Sequence, residues 1–428
     1  MMPSAPVFVV DGARTPFLKA RGRRGPFSAA DLATQCGRQL LARQPFAPED
    51  LDEVILGCAA PAADEVNIGR VAALRMGCGL RVPGWTVMRN CASGMQAIDS
   101  AANDIRCGRS QLVLAGGVDA LSRAPLLFAD AAVDWLSDWY AARRPAERLA
   151  VAARFRPRML APVIALMKGL TDPVCGLMMG QTAENLAARF DITREQQDAC
   201  AADSHRRAAR AQDEGRLGEI VPLFGADGRL YAADDGVRRD SSIENLARLK
   251  PFFDRRYGSV TAGNSSQITD GAALLILAGE QALARHRLEP IGRIVDTQWA
   301  GLDPAQMGLG PVHAATPILR RHGLGLADID CWEINEAFAA QVLACLAAWK
   351  DEGYCRAELG CEAAMGEIDA QRLNVDGGAI ALGHPVGASG ARIVLHTLQV
   401  LARGGLRRGI AAICIGGGLG GAMLVEAV

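Results

Sequence analysis

Aromatic residues make up only 5% of the chain, and neither sign of charge dominates, with 46 Lys and Arg against 47 Asp and Glu in 428 residues. A net charge of -1 excludes a surface built throughout for nucleic acid, because phosphate binding needs clustered cations, not a balanced total. Twelve cysteines occur without one CxxC pair, and Cys355 and Cys361 have no partnering His cluster, so neither a metal site nor a disulfide framework is indicated. No run of about 18 uncharged apolar residues appears, and the start, Met1 to Pro6, has no basic segment leading into an apolar one. The expectation is a soluble, cytoplasmic protein with free thiols and no transmembrane segment. A 50% hydrophobic content with 22% charged residues excludes disorder, and the length suits about three domains, or two with a large insertion.

Glycine is what the chain has in excess: 47 residues, about 11% against a typical 7%. The glycines cluster at Gly116-Gly117, Gly377-Gly378, Gly383, Gly387, Gly390, Gly416 to Gly418 and Gly420-Gly421, where apolar runs stop. Such places need tight turns or close approach of a ligand to the backbone.

The order of elements predicts α/β architecture. Val7 to Val10 reads as a buried strand stopped by Asp11-Gly12, and Ser28 as the N-cap of a helix carrying Leu32, Cys36 and Leu40. Val54 to Leu56 reads as a second strand, Gly94 to Cys107 as a buried helix, and Leu112 to Ala115 as a strand ending in Gly116-Gly117. This is βαβ patterning with parallel strands covered on both faces. The order recurs near the C-terminus: Ala327 to Ile334 matches Leu51 to Leu56, and His384, a helix from Ser389 to Leu401 and Ala411 to Gly417 match Cys91, its helix and Leu112 to Gly117. Two copies of one unit place Cys91 and His384 at equivalent turns, and Gly117 and Gly417 at equivalent strand ends.

Between the copies, from about Leu121 to Gly258, the pattern breaks into polar and helical pieces, as an insertion does. Residues 141–170 hold Arg143, Arg144, Arg148, Arg154, Arg156, Arg158 and Lys168 against one acid, Glu147. They form either a solvated helix face or a patch for an acidic ligand, a partner or a membrane surface.

Three stretches carry chemistry. Cys91 follows Val87 to Asn90 and precedes Ala92-Ser93-Gly94, a strand-to-helix turn of small residues, where the helix dipole favours thiolate and the turn exposes it. His384 sits between Gly383 and Pro385, held in a turn among glycines. Cys414, before Ile415-Gly416-Gly417-Gly418, is a second thiol at a strand end, beside N–H groups suited to an oxyanion hole. His205, His286 and His322 lie on polar segments expected to be exposed, and His396 on a helix; structural or solvated roles suit all four. His313 sits in a loop near the core, and ligand contact stays open for it. Cys331 and Cys345 read as packing.

With these motifs in place the chain resembles the thiolases along almost its whole length. The resemblance rests on Asp11 to Pro16, Asn90-Cys91-Ala92-Ser93-Gly94, Met179 to Asn185, Thr261-Ala262-Gly263-Asn264-Ser265-Ser266, Asn335-Glu336-Ala337-Phe338, Gly383-His384-Pro385 and Cys414 to Gly418. It implies a thiolase fold, with duplicated αβαβα halves forming a five-layer core: residues 1–121 and 259–287 as the N-terminal half, 122–258 as an inserted helical loop domain for CoA and acyl binding, and 288–428 as the C-terminal half. It also implies homodimers or homotetramers, acyl-CoA and CoA as substrates, and no permanently bound cofactor or metal. Residue by residue, Cys91 is similar to the nucleophile that becomes acylated, His384 to its base and Cys414 to the acid/base at the α-carbon. Asn335 corresponds to the holder of a water that forms one oxyanion hole with His384, and the N–H groups of Cys91 and Gly416 to the other. Ser266 lies along the pantetheine arm by the same resemblance, with Ala262 and Phe338 beside the substrate.

The implied reaction is thiolytic cleavage of a 3-oxoacyl-CoA by CoA in fatty-acid degradation, the alternative being an acetoacetyl-CoA enzyme that runs the condensation. Met178 stands where some acetoacetyl-specific members have His; it either packs or borders a longer acyl chain. Leu249 to Phe253 and Tyr257 to Val260 resemble the branch that partners a hydratase/dehydrogenase subunit, whereas Asn335, often His in that branch, matches the commoner type. A decarboxylating ketoacyl-synthase reading is opposed by Cys414 and Asn335, and a non-enzymatic acyl-CoA binder by the four competent catalytic positions.

Overall fold

A computed structural model describes residues 5–428; Met1 to Ser4, which bear on the leader expectation, lie outside the described residues. The chain separates into a larger unit, Met1–Arg123 with Asp172–Val428, and a smaller one, Ala124–Thr171.

The larger unit is organised by a mixed sheet. Its strands are β1 (Val7–Arg14), β2 (Glu53–Gly57), β3 (Gly84–Val87), β4 (Leu112–Ala120), β5 (Thr269–Ala278), β6 (Gly292–Gly301), β7 (Cys331–Ile334), β8 (Arg408–Ile415) and β9 (Leu419–Glu426). They run in the spatial order β7-β8-β9-β6-β1-β5-β4-β2-β3, with the short strand Leu18–Lys19 pairing β5 from the side. Five helices matter for the site: α1 (Ala29–Leu41), α2 (Ser93–Arg106), α3 (Met179–Arg189), α4 (Gly310–His322) and α5 (Val386–Gly404).

The duplication is visible in the pairing. In the first half β2 runs parallel to β4, with Ile55 opposite Ala115, and β4 antiparallel to β5, with Gly117 opposite Ala273. In the second, β7 runs parallel to β8, with Glu333 opposite Ala411, and β8 antiparallel to β9, with Ala412 opposite Ala422. The halves meet where β1 pairs β6, Val7 opposite Ile294. Each half joins the parallel pair expected of its βαβ order to antiparallel strands, and β9 follows β8 through the tight Gly416-Gly417-Gly418 turn, which no parallel crossover could use.

Helices α2 and α5 form a middle layer. Ala97, Ile98 and Ala101 of α2 and Ile393, Val394 and Leu398 of α5 share one buried cluster with Ile55, Val113 and Leu275 of the first half and Ala411, Ile413 and Met423 of the second. The outer faces are covered by α1 in one half and α4 in the other. Every residue of β4 and β5 is buried, as a sheet covered on both faces requires.

Local signals held where they were chemical. Ser28 caps α1, accepting the Asp31 N–H while Asp31 accepts from Ser28, a reciprocal capping box. Others gave way to packing. β1 does not stop at Asp11-Gly12 but continues to Arg14 through a register shift between Val9 and Asp11, which lets the Asp11 carboxylate swing out to Arg43 at 2.7 Å. Likewise β4 runs on past Gly116-Gly117 to Ala120. Gly117 is thus inside a strand, where a β-carbon would stand 1.9 Å from the Gly387 carbonyl oxygen.

The smaller unit contains helices Asp130–Ala141 and Pro145–Ala153, pinned by Trp135 stacked on Trp139 and tilted against Phe155. The seven basic residues of 141–170 fall within it, and some are used internally: Arg154 pairs with Asp138 at 2.7 Å, and Arg156 donates to the Ala153 and Phe155 carbonyls. Leu126, Tyr140, Leu149 and Leu160 are largely exposed on it.

Candidate active site

Cys91 and His384 enter the two central helices from equivalent positions. Cys91 lies in the single turn Asn90–Ala92 before α2, and His384 between the short helix Ala379–Leu382 and α5. The helix entries touch: a β-carbon at Gly94 would lie 2.7 Å from the Gly387 carbonyl, and one at Gly390 would lie 2.8 Å from the Met95 nitrogen. Only glycine at these positions lets the two backbones approach so closely.

The Cys91 thiol is partly accessible, yet burial pushes its pKa up, with the N–H groups of Gly416 and Cys91 pulling the other way and Asp119 adding to the rise. The pull of the helix end towards thiolate is present but outweighed. Desolvation of the charged form outweighs the dipole, so the thiol rests neutral and needs a base.

His384 is held in a single tautomer. It is 8% exposed, and its Nδ1 lies 2.6 Å from Ser389 Oγ, while the Ser389 hydroxyl donates to the Pro385 carbonyl at 3.0 Å. With the hydroxyl proton committed there, Nδ1 must carry the proton that it shares with Oγ. The Nε2 lone pair is left free, and this buried atom has no partner. Burial, with Arg392 adding, pushes the His384 pKa down to about 4, so the ring is neutral near pH 7. Its backbone N–H is anchored to the Gln267 carbonyl at 2.9 Å.

Cys414 is 1% exposed near the end of β8, and burial, with the neighbouring Cys91 and Cys345 thiols, holds its pKa far above the usual thiol range. It rests as a neutral thiol. Gly416 follows in the turn, its carbonyl accepting from Asn90 Nδ2 at 2.8 Å; Met179 of α3 stands over it, Sδ 3.2 Å from where a β-carbon would be.

Asn335 is fully buried just after β7, its backbone N–H bonded to the Ala412 carbonyl at 2.9 Å, and neither Oδ1 nor Nδ2 has a partner. Two orphaned amide atoms in a buried site cost stability unless water or substrate meets them. The next residue, Glu336, ties this strand end to the His384 segment: its carboxylate accepts from Ser204 Oγ at 2.6 Å, Asn374 Nδ2 at 3.0 Å and the Ile380 N–H at 3.2 Å.

The other expected contacts lie on neighbouring stretches. The Ser266 N–H donates to the Ala337 carbonyl at 2.9 Å, Phe338 packs edge-on against Phe253, and Ala262 is exposed. Met178 is half-buried at the start of α3 with its N–H donated to Gln181. His313 is removed to a pair with Tyr354, 2.7 Å apart on α4. His205 corrects the expectation of an exposed ring: it is 3% exposed, and its Nδ1 accepts the Arg238 N–H. His396 is buried on α5 between Glu219 and Asp376, a structural charge.

Sequence reasoning passed over Ser389, Asn90, Asp119 and Met179 as site residues. Ser389 was readable in principle, five residues after a His at a helix entry. Asp119 and Asn90 act on groups 268 and 326 residues away, beyond any local signal. Among the described residues no His, Cys, Asp and Glu cluster could hold a metal ion, and no helix is long and apolar enough to cross a membrane.

Residues 7–281 match the thiolase N-terminal domain, and residues 288–427 match the thiolase C-terminal domain. The chain is 38% identical to a 3-ketoacyl-CoA thiolase of Serratia proteamaculans, covering 98% of this chain and 96% of that protein. It is also 38% identical to one from Salmonella typhimurium, covering 98% and 97%. Among solved structures, an acetyl-CoA acetyltransferase of Bacillus anthracis superposes with TM-score 0.84 at 37% identity over 99% of each chain. A human mitochondrial 3-ketoacyl-CoA thiolase in complex with CoA gives 0.83 at 34% over 99% of this chain and 98% of that one.

Proposed function

The chain belongs to the thiolase family, and on that premise we propose that it is an acetyl-CoA C-acyltransferase that cleaves a 3-oxoacyl-CoA with CoA, giving acetyl-CoA and an acyl-CoA shortened by two carbons. The observation that carries the reading is the His384 tautomer, with its lone pair free at the helix entry that meets the neutral Cys91 thiol.

His384 Nε2 takes the Cys91 proton, and the thiolate attacks the 3-oxo carbon. The N–H groups of Cys91 and Gly416 meet the oxyanion that forms. The C2–C3 bond breaks, leaving the acyl group as a thioester on Cys91 and the acetyl-CoA fragment as an enolate. Its oxygen is met by protonated His384 and a water on Asn335, and Cys414 gives its proton to C2. The Cys414 thiolate then deprotonates incoming CoA, whose sulfur attacks the Cys91 thioester. The new tetrahedral oxyanion collapses to acyl-CoA, and His384 returns the proton to Cys91. Two negatively charged oxygens develop at different carbons, which is the physical reason for two donor sets. Met178, Ala262, Ser266 and Phe338 belong to the acyl and pantetheine path, with CoA and acyl-CoA as substrates and no resident cofactor.

The similarity to acetyl-CoA acetyltransferase structures supports a second reading, acetoacetyl-CoA as substrate. Thiolysis rates across 3-oxoacyl-CoA substrates of four to sixteen carbons separate the two. A broad or long-chain profile supports the first, and a sharp maximum at four carbons the second. Loss of acyl-enzyme in Cys91→Ala is required by both, and retained turnover in that variant removes both. A homodimer or homotetramer and a role in fatty-acid degradation complete the proposal. The edge strand β3, with Trp85 and Met88 exposed beside it, supports self-association. The resemblance of 249–260 to the branch with a hydratase/dehydrogenase subunit supports such a partner, which a pulldown with the basic segment charge-reversed at Arg158 tests.

A further inference from the structure

Asp119, the last residue but one of the buried strand β4, is a fully buried carboxylate, 0% exposed, and among the described residues no cation stands in its hydrogen-bond shell. Four donors converge on it. Oδ1 accepts from the Cys58 thiol at 3.2 Å and the Ala60 N–H at 2.9 Å; Oδ2 accepts from the Ala59 N–H at 3.3 Å and the Gly387 N–H at 2.5 Å. Two donors on each oxygen leave no free lone pair for a proton, so the group is held as a carboxylate although burial pushes its pKa up.

The donors come from both halves. Cys58 to Ala60 follow β2, the strand against which the α2 entry is seated: a β-carbon at Gly57 would lie 2.2 Å from the Ser93 carbonyl carbon. Gly387 is in the first turn of α5, where helix geometry leaves N–H groups without intrahelical acceptors. It lies three residues after His384, and its close seating on β4 is why glycine is required: a β-carbon there would stand 2.7 Å from the Val118 carbonyl and 2.9 Å from Asp119 Oδ2. The negative charge at the positive helix end stabilises this seat.

We propose that Asp119 is a positioning residue that docks the α5 entry onto the Cys91 half, setting His384 against the nucleophile. This deepens the thiolase reading and rests on it for the identity of the base.

The test uses the full-length enzyme and two readouts: thiolysis kinetics, and the rate of Cys91 alkylation by iodoacetamide at about pH 7, followed by mass spectrometry of the Cys91 peptide. Asp119→Asn turns an acceptor into a donor facing N–H groups. It is expected to lower kcat by about 100-fold, the cost of misplacing a catalytic group by about 1 Å, and to slow the alkylation, because the base then stands away from the thiol. Asp119→Glu keeps the charge but lengthens the arm, and serves also if the Asn variant does not fold. It is expected to lower kcat and slow the alkylation in the same way. Wild-type kcat in either variant, or a wild-type alkylation rate in a folded Asp119→Asn protein, overturns the proposal. Alkylation reads the Cys91 setting even if the wild-type enzyme cleaves no 3-oxoacyl-CoA, so failure of the functional reading is distinguishable from failure of this one.

Discussion

Ser389→Ala tests the tautomer argument most directly. Among the described residues the Ser389 hydroxyl is the only partner of the His384 Nδ1 proton, at 2.6 Å, and its own proton is committed to Pro385. Removing it leaves a buried N–H without an acceptor, at a cost of about 1–3 kcal/mol. That cost falls on the ring orientation that keeps the Nε2 lone pair free, and not on a ring turned so that its N–H meets another acceptor. The productive form loses that much relative to its competitor, and since about 1.4 kcal/mol is tenfold in rate, kcat/KM for thiolysis should fall by roughly 5- to 150-fold. Ser389 is 1% exposed and the change removes one oxygen, so the variant should fold. The assay is the initial rate of acetyl-CoA release against 3-oxoacyl-CoA concentration, beside a thermal melt. A variant with kcat/KM within about twofold of wild type and an unchanged melt would refute the reasoning, because His384 would then hold its tautomer without Ser389.

Three further outcomes follow from the same geometry. Asn335→Ala removes two buried, unpartnered amide atoms and should lower kcat by about 100- to 1000-fold with little loss of stability; a large fall in melting temperature with near-normal turnover would make Asn335 structural. His384 stays neutral until about pH 4, so the acid limb of the kcat/KM profile should lie near there; a limb near pH 6.5 would contradict the burial that lowers it. His396 has its pKa raised to about 10 against burial, chiefly by Glu219 and then Asp376. Its contribution to stability is complete below pH 6.5 and lost as pH rises through about 10, so the urea midpoint of wild type should fall across that window more than that of His396→Leu. Parallel pH dependence in the two proteins would remove His396 as the cause.

What could be read from the chain was local or repetitive. Ser28 announces α1 because a hydroxyl before a helix satisfies its free N–H groups, whatever packs on it later. Cys91 and His384 could be placed at equivalent turns because the same order of strand, helix and glycine recurs in both halves. The elements misread were those decided by distant neighbours. Gly117 looked like a strand end and lies inside β4, because its missing side chain serves Gly387 and not a turn. His205 looked exposed on a polar helix, yet that helix buries one face on which the Arg238 N–H finds the ring.

The sequence by itself determined the thiolase family, the duplicated halves and the residue types of the chemistry, since turns, caps and motifs are properties of neighbouring residues. Only the tertiary structure decided their states. Cys91 rests as a neutral thiol because desolvation exceeds the helix dipole. His384 presents Nε2 because a serine one turn on claims its other nitrogen. Asp119 holds the two helix entries in one seat because four donors from both halves meet at a single carboxylate. Desolvation and converging hydrogen bonds depend on what surrounds a group in space, and those surroundings come from segments hundreds of residues apart.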